Sequence, residues 1–165
     1  MQTEYGPRCI AVGRTVSSCG HTSYGGYVRV PGLSRLRWRR LNAHEIDCDT
    51  MNGNCVLLPA SAVREIGLHA RAFTHTMGDI DYGLRARQAG YRIVQLAEPV
   101  GVLEREKAEF ASPELLKERS WSYILFHPKG LPVREWLIFC ARHGGLLGLA
   151  NFIWAYGKLL LSKVR

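Results

Sequence analysis

The apolar run CIAVGRTV, Cys9–Val16, predicts a buried strand, and YGGYVRV, Tyr24–Val30, predicts a second extended piece after a loop containing Gly20. Asn54–Pro59 (NCVLLP) reads as a short strand. A brief helix then starts near Ser61 and stops at Gly67, because glycine readily adopts the backbone that closes a helix. After a loop over Ala70–Met77, the pattern predicts a helix from about Asp79 to Ala89 with a second stop at Gly90. Tyr91–Ala97 (YRIVQLA) is β-branched and apolar enough for a strand, which Pro99–Leu103 extends or pairs beside. Strand, helix, loop, helix and strand in this order argue for an α/β domain.

The pattern changes after Phe110. Ser112-Pro113-Glu114 combines a capping Ser, a Pro suited to the first helical position and an acid for the first turn, so a helix is predicted to start there. Pro128 and Pro132 break the chain, and one or two further helices follow, split at Gly144-Gly145. Leu146–Leu161 is apolar over sixteen residues except for Asn151, Tyr156 and Lys158. That falls short of the ~20 residues a membrane-spanning helix needs. Trp136, Phe139, Phe152, Trp154 and Tyr156 lie among aliphatics, with Arg134, Arg142, Lys158, Lys163 and Arg165 around them. This composition suits an interfacial helix on an anionic membrane surface. The alternative is that the same apolar residues cover the core.

The chain has 165 residues, which bounds it to one sizeable core. Its net charge of +8 implies an anionic partner such as phosphates, acidic headgroups or nucleic acid. Five arginines between Arg29 and Arg40, around Pro31 and Gly32, predict a basic loop, either solvated or in contact with phosphates. A nucleic-acid-binding domain would draw on this charge and on Trp38, but no helix-turn-helix, RNP-type or zinc pattern accompanies it. Cys9, Cys19, Cys48, Cys55 and Cys140 contain no C-x-x-C pair, and no signal segment is visible, which favours a reducing, cytoplasmic setting. No Cys/His spacing suits zinc.

Asp79 and Asp81 fall at the predicted start of a helix, after a loop carrying His75. Acids belong there on elementary grounds, since they accept bonds from unpaired N–H groups and oppose the dipole. Arg85 stands four residues after Asp81, a spacing that favours a local ion pair and a structural role for that acid.

The order NCVLLPASAVREIG, LHARAFTHTM, GDID, YGLRARQAG, YRIVQLA resembles the second half of the GT-A catalytic domain of family 2 glycosyltransferases. In that family an apolar strand, a short helix ending in Ile-Gly and a variable loop precede an acidic E-D-x-D segment. A helix with Arg, a glycine turn and a strand follow it. The resemblance spans roughly Cys9–Val102. Val12-Gly13, SYGG at Ser23–Gly26 and DTMNGN at Asp49–Asn54 are also similar to a bacterial, rhamnosyltransferase-like branch that builds surface polysaccharides.

The resemblance implies an α/β fold: a partial GT-A (nucleotide-diphospho-sugar transferase-like) domain over residues 1–110, followed by C-terminal amphipathic helices over 111–165. It implies inverting transfer of a sugar from a nucleotide-sugar donor to a saccharide or lipid-linked acceptor, at the cytoplasmic face of the membrane. Asp79 takes the place of the catalytic base, while Asp49, Asn52, Gly53, Asn54 and Asp81 fall at substrate-binding positions. A divalent cation, Mg²⁺ or Mn²⁺, is expected for the full enzyme, with no metal ligand evident in this chain. Three departures stand out: Gly78 where the family has an acid, Glu104 where it has a late His, and no upstream nucleotide-binding strands. The D-C-D at Asp47–Asp49 has the family's metal-holding pattern, but only 30 residues before Asp79 it is matched to the sugar pocket instead. The chain is therefore expected to be a fragment or natural truncation lacking the nucleotide-binding half, with an inactive remnant or partner subunit as the alternative.

Overall fold

A computed structural model describes residues 5–75, 77–104 and 116–164. Among the described residues eight strands follow one another as β1 (Cys9–Val16), β2 (Thr22–Tyr24), β3 (Gly26–Arg29), β4 (Trp38–Arg40), β5 (Asp47–Cys48), β6 (Thr50–Met51), β7 (Val56–Leu57) and β8 (Arg92–Val102). The helices are α1 (Ala60–Ile66), α2 (Gly78–Gln88), α3 (Trp121–Phe126), α4 (Val133–His143) and α5 (Gly148–Val164). The result is a mixed α/β chain, a curled mixed sheet followed by C-terminal helices.

Two compact units divide it. The first comprises Met1–Val30, Trp38–Ala70 and Gly78–Arg105, and the second Pro31–Arg37, Arg71–Met77 and Glu106–Arg165.

In the first unit β1 and β8 run parallel, with Ile10 opposite Ile93 and Ala11 opposite Val94. The strand order is β2-β1-β8-β5, with β7 also antiparallel to β1. Ile10, Val12 and Ile93 are wholly buried, which is why this pair needed continuous apolar sequence. The register slips around Arg14, which faces Pro99. Proline cannot donate to a ladder, so β8 continues past it only with this irregularity. Residues 99–102 thus extend the strand.

A second sheet, β4-β3-β6, pairs Arg29 with Trp38 and Tyr27 with both Arg40 and Thr50. The arginine-rich segment is therefore partly a strand, which corrects the expectation of a loop from Arg29 to Arg40. Charged residues are tolerated at this edge because each finds an acceptor: Arg39 forks onto Glu45 at 2.7 and 2.5 Å, and the half-buried Arg40 donates to the Ser23 carbonyl. That fork, with the Asn42 N–H, lowers the Glu45 carboxyl to about 2. The strand expected over Asn54–Pro59 shrinks to Val56–Leu57, between the turn at Asn52–Asn54 and Pro59, the residue before α1.

α1 closes at Gly67, whose φ of 81° lets its N–H reach back to the Val63 carbonyl. α2 buries Ile80, Tyr82, Leu84 and Ala86. Tyr82 and Ala86 join Ile10, Val12, Met51, Ala62 and Ile93 in one core. Thr50 ties β6 to α2 by donating from Oγ1 to the Ile80 carbonyl at 2.9 Å, and Gly83 makes room for it.

In the second unit Ser120 caps α3 by accepting from the Tyr123 N–H. Pro132 precedes α4, and Gly144 ends it. The helix start expected at Ser112-Pro113-Glu114 lies outside the described residues. A 3₁₀ turn at Gly145–Leu147 leads directly into α5. Helical chain thus runs 20 residues, Gly145–Val164, long and apolar enough by length and composition to cross a membrane. The sixteen-residue count from sequence was too short because the helical run extends at both ends, through Gly145 and Val164.

All five cysteines are free. Burial pushes the Cys48 and Cys140 thiols up to about 12.

Candidate functional site

α2 begins with Gly78, so Asp79 stands in its first turn, where free N–H groups and the helix dipole favour a carboxylate. Met77, just before it, holds φ at 69°, a left-handed backbone uncommon for a residue with a side chain.

The Asp79 side chain remains 40% exposed. Its two oxygens are held separately. Oδ2 accepts from the Gly53 N–H at 2.9 Å, and Oδ1 lies 3.3 Å from His69 Nε2. A carboxylate has about four acceptor sites, so two neighbours fix its plane and leave lone pairs for a third group.

Gly53 is required for this arrangement. A Cβ there would sit 2.6–2.8 Å from all three terminal atoms of Asp79, so any side chain displaces the carboxylate. Gly53 thus brings its backbone close to Asp79 itself. Asn52 shapes the same turn: its Oδ1 accepts from the Asn54 N–H at 3.0 Å, and its N–H donates to the Gly25 carbonyl at 3.2 Å. Gly53 and Asn54 are exposed.

His69 belongs to the constellation, and sequence reasoning missed it. Its ring stacks on Tyr82, with centroids 5.1 Å apart, three residues on from Asp79 along α2. No spacing rule connects residues 53, 69 and 79. The packing of the β6–β7 turn and the post-α1 loop against the start of α2 brings them together.

The remaining predicted positions lie elsewhere. Asp81 is fully buried, pairs with Arg85 Nε at 2.9 Å, and faces away from water. Arg85 also donates to the Ile66 and Leu68 carbonyls at 3.0 and 3.1 Å, so this pair anchors the loop that carries His69. Asp49 accepts from the Arg29 N–H at 2.7 Å. Asp47 forks with Arg92 at 2.8 and 3.1 Å, which lowers its carboxyl below the usual range. The two acids of D-C-D thus serve different partners. Glu104 accepts from the Ser18 N–H at 2.6 Å. Among the described residues no three His, Cys, Asp or Glu side chains are grouped to hold a metal ion.

Chemically, the arrangement offers one accessible, oriented carboxylate with an imidazole beside it. No family model, curated protein or solved structure matches the chain.

Proposed function

We propose that this chain is the acceptor-side part of an inverting, GT-A-type glycosyltransferase, in which Asp79 is the base. The observation that carries the proposal is the half-exposed Asp79 carboxylate, fixed by the Gly53 N–H and His69 at the start of α2. An acceptor hydroxyl within hydrogen-bond reach of Asp79 gives up its proton as its oxygen attacks the anomeric carbon. The carbon–oxygen bond to the nucleoside diphosphate breaks on the opposite face, and the diphosphate leaves with that electron pair. Asp79 suits this step because its partners, the Gly53 N–H and His69, restrict its rotation while it stays open to solvent.

The turn at Asn52, Gly53 and Asn54, exposed at its last two residues, borders Asp79 and supplies polar groups for a sugar. Asp81 acts through structure, holding the loop that carries His69. The resemblance also brings an expectation of Mg²⁺ or Mn²⁺. The described residues do not fit one, since Asp47 and Asp49 are bound to Arg92 and to the Arg29 N–H.

The test is release of nucleoside diphosphate from a panel of UDP-, dTDP- and GDP-sugars, with the protein expressed from its native gene. Bacterial membranes or oligosaccharides serve as acceptors. Release that depends on both donor and acceptor is expected. Release unaffected by omitting the acceptor, or absent with every pair, overturns the proposal.

A further inference from the structure

α5 is built the reverse of a core helix. Its exposed residues are Leu149, Ala150, Ile153, Trp154, Lys158, Leu160, Leu161 and Val164, spaced three and four apart along one face, and all but Lys158 are apolar. Ile153, Trp154 and Leu161 are each more than 60% exposed. Tyr156, Asn151 and Lys163 instead find partners in their own unit. Tyr156 donates to the Leu131 carbonyl at 2.9 Å, Asn151 accepts from Ser34 Oγ at 2.8 Å, and Lys163 Nζ reaches the Lys117 carbonyl at 2.8 Å. Leu159 packs with Leu116 and Ile124. A helix normally turns its apolar stripe inward, and contiguous exposed apolar surface of this kind marks an interaction site.

Charge identifies the occupant. The second unit holds twelve of the chain's 22 Lys and Arg residues but five of its 14 Asp and Glu, a surplus of seven out of the total of eight. No acid occurs after Glu135, and Lys158 borders the stripe. Trp154, an amphipathic ring, sits on the exposed face among the aliphatics. Apolar stripe, tryptophan and basic surroundings match an anionic lipid leaflet.

We propose that α5 lies in the plane of an anionic membrane, with Leu149, Ile153, Trp154, Leu160 and Leu161 sunk into the headgroup boundary. It does not cross, because its opposite face is hydrogen-bonded and packed against the rest of its unit. This inference rests on the second unit alone and stands independently of the proposed transfer chemistry.

The experiment is flotation of the full chain with phosphatidylcholine vesicles, with and without phosphatidylglycerol, at low and high salt. Tryptophan fluorescence is followed in vesicles with brominated acyl chains, and the contribution of Trp154 is taken as the difference between wild type and Trp154→Phe. Wild type should float with anionic vesicles and be released by salt, and quenching should disappear in Trp154→Phe. Ile153→Glu with Leu160→Glu changes only exposed positions, and should lower partitioning by about tenfold or more. If that variant misfolds by circular dichroism, the Trp154→Phe comparison still decides. Equal flotation of variant and wild type, no flotation, or unquenched Trp154 overturns the proposal. So does concentration-dependent self-association that buries Trp154 without lipid, which would make a second copy the occupant.

Discussion

Asp79→Asn should lower turnover by about 100-fold or more while leaving acceptor KM within a few-fold. Asparagine is the same size, and its carbonyl oxygen can still accept from the Gly53 N–H at the distance of 2.9 Å seen for Asp79. What it lacks is the capacity to take a proton as the acceptor attacks. The loss therefore falls on kcat, since only the transition state needs that proton moved. His69→Ala, in the same assay, should reduce kcat by about tenfold, because the carboxylate loses the neighbour that orients it at 3.3 Å. His69→Gln retains a donor and should recover part of the loss, which a purely structural histidine would not predict. Asp79→Asn retaining more than a third of wild-type turnover would remove Asp79 as the base.

Asp81→Ala should cost about 3 kcal/mol of folding stability, although Asp81 stands only two residues from Asp79. Its side chain is 0% exposed and its partner Arg85 only 22%. Removing the carboxylate leaves a largely buried guanidinium with the Ile66 and Leu68 carbonyls and no balancing charge from Asp81. Breaking one side of a buried pair is costlier than deleting an exposed one. A melting temperature roughly 6–12 °C lower follows for a chain of this size. Asp79→Ala, at a 40% exposed site, should shift it by far less. Equal shifts in the two variants, or a loss under about 1 kcal/mol for Asp81→Ala, would contradict the division of labour between the two acids.

What could be read from sequence follows from how local each signal is. β1 and β8 were legible through the short apolar stretches at their buried parts, Ile10–Val12 and Ile93–Val94, and Gly67 and Gly90 marked helix ends through their positive φ. β5 and β6 were not, because two-residue strands such as Asp47–Cys48 have no periodicity to detect. β4 was hidden by composition: Trp38–Arg40 resembles loop until its partner β3 and the Arg39–Glu45 fork are seen. The apolar character of α5 was plain from composition, but which face it exposes depends on Tyr156, Asn151 and Lys163 finding partners far along the chain.

The site divides the same way. Asp79 was legible as an acid at a helix start. The turn Asn52–Asn54 was legible as a glycine flanked by asparagines, though not that its backbone would bond to Asp79. His69 was not legible, because a histidine in a loop carries no signal until the loop is folded against α2. Arg85 was anticipated as a partner for Asp81, but its two further bonds to the carbonyls of residues 66 and 68 depend on tertiary packing.

Proton NMR of the transferred sugar reads the stereochemistry of the step on which Asp79 acts. A single carboxylate base acting opposite the leaving diphosphate requires one displacement, so the product must carry the anomeric configuration opposite to the donor's. Complete inversion is expected in wild type, with the same inverted product formed more slowly by Asp79→Asn. A product that retains the donor's configuration would contradict it.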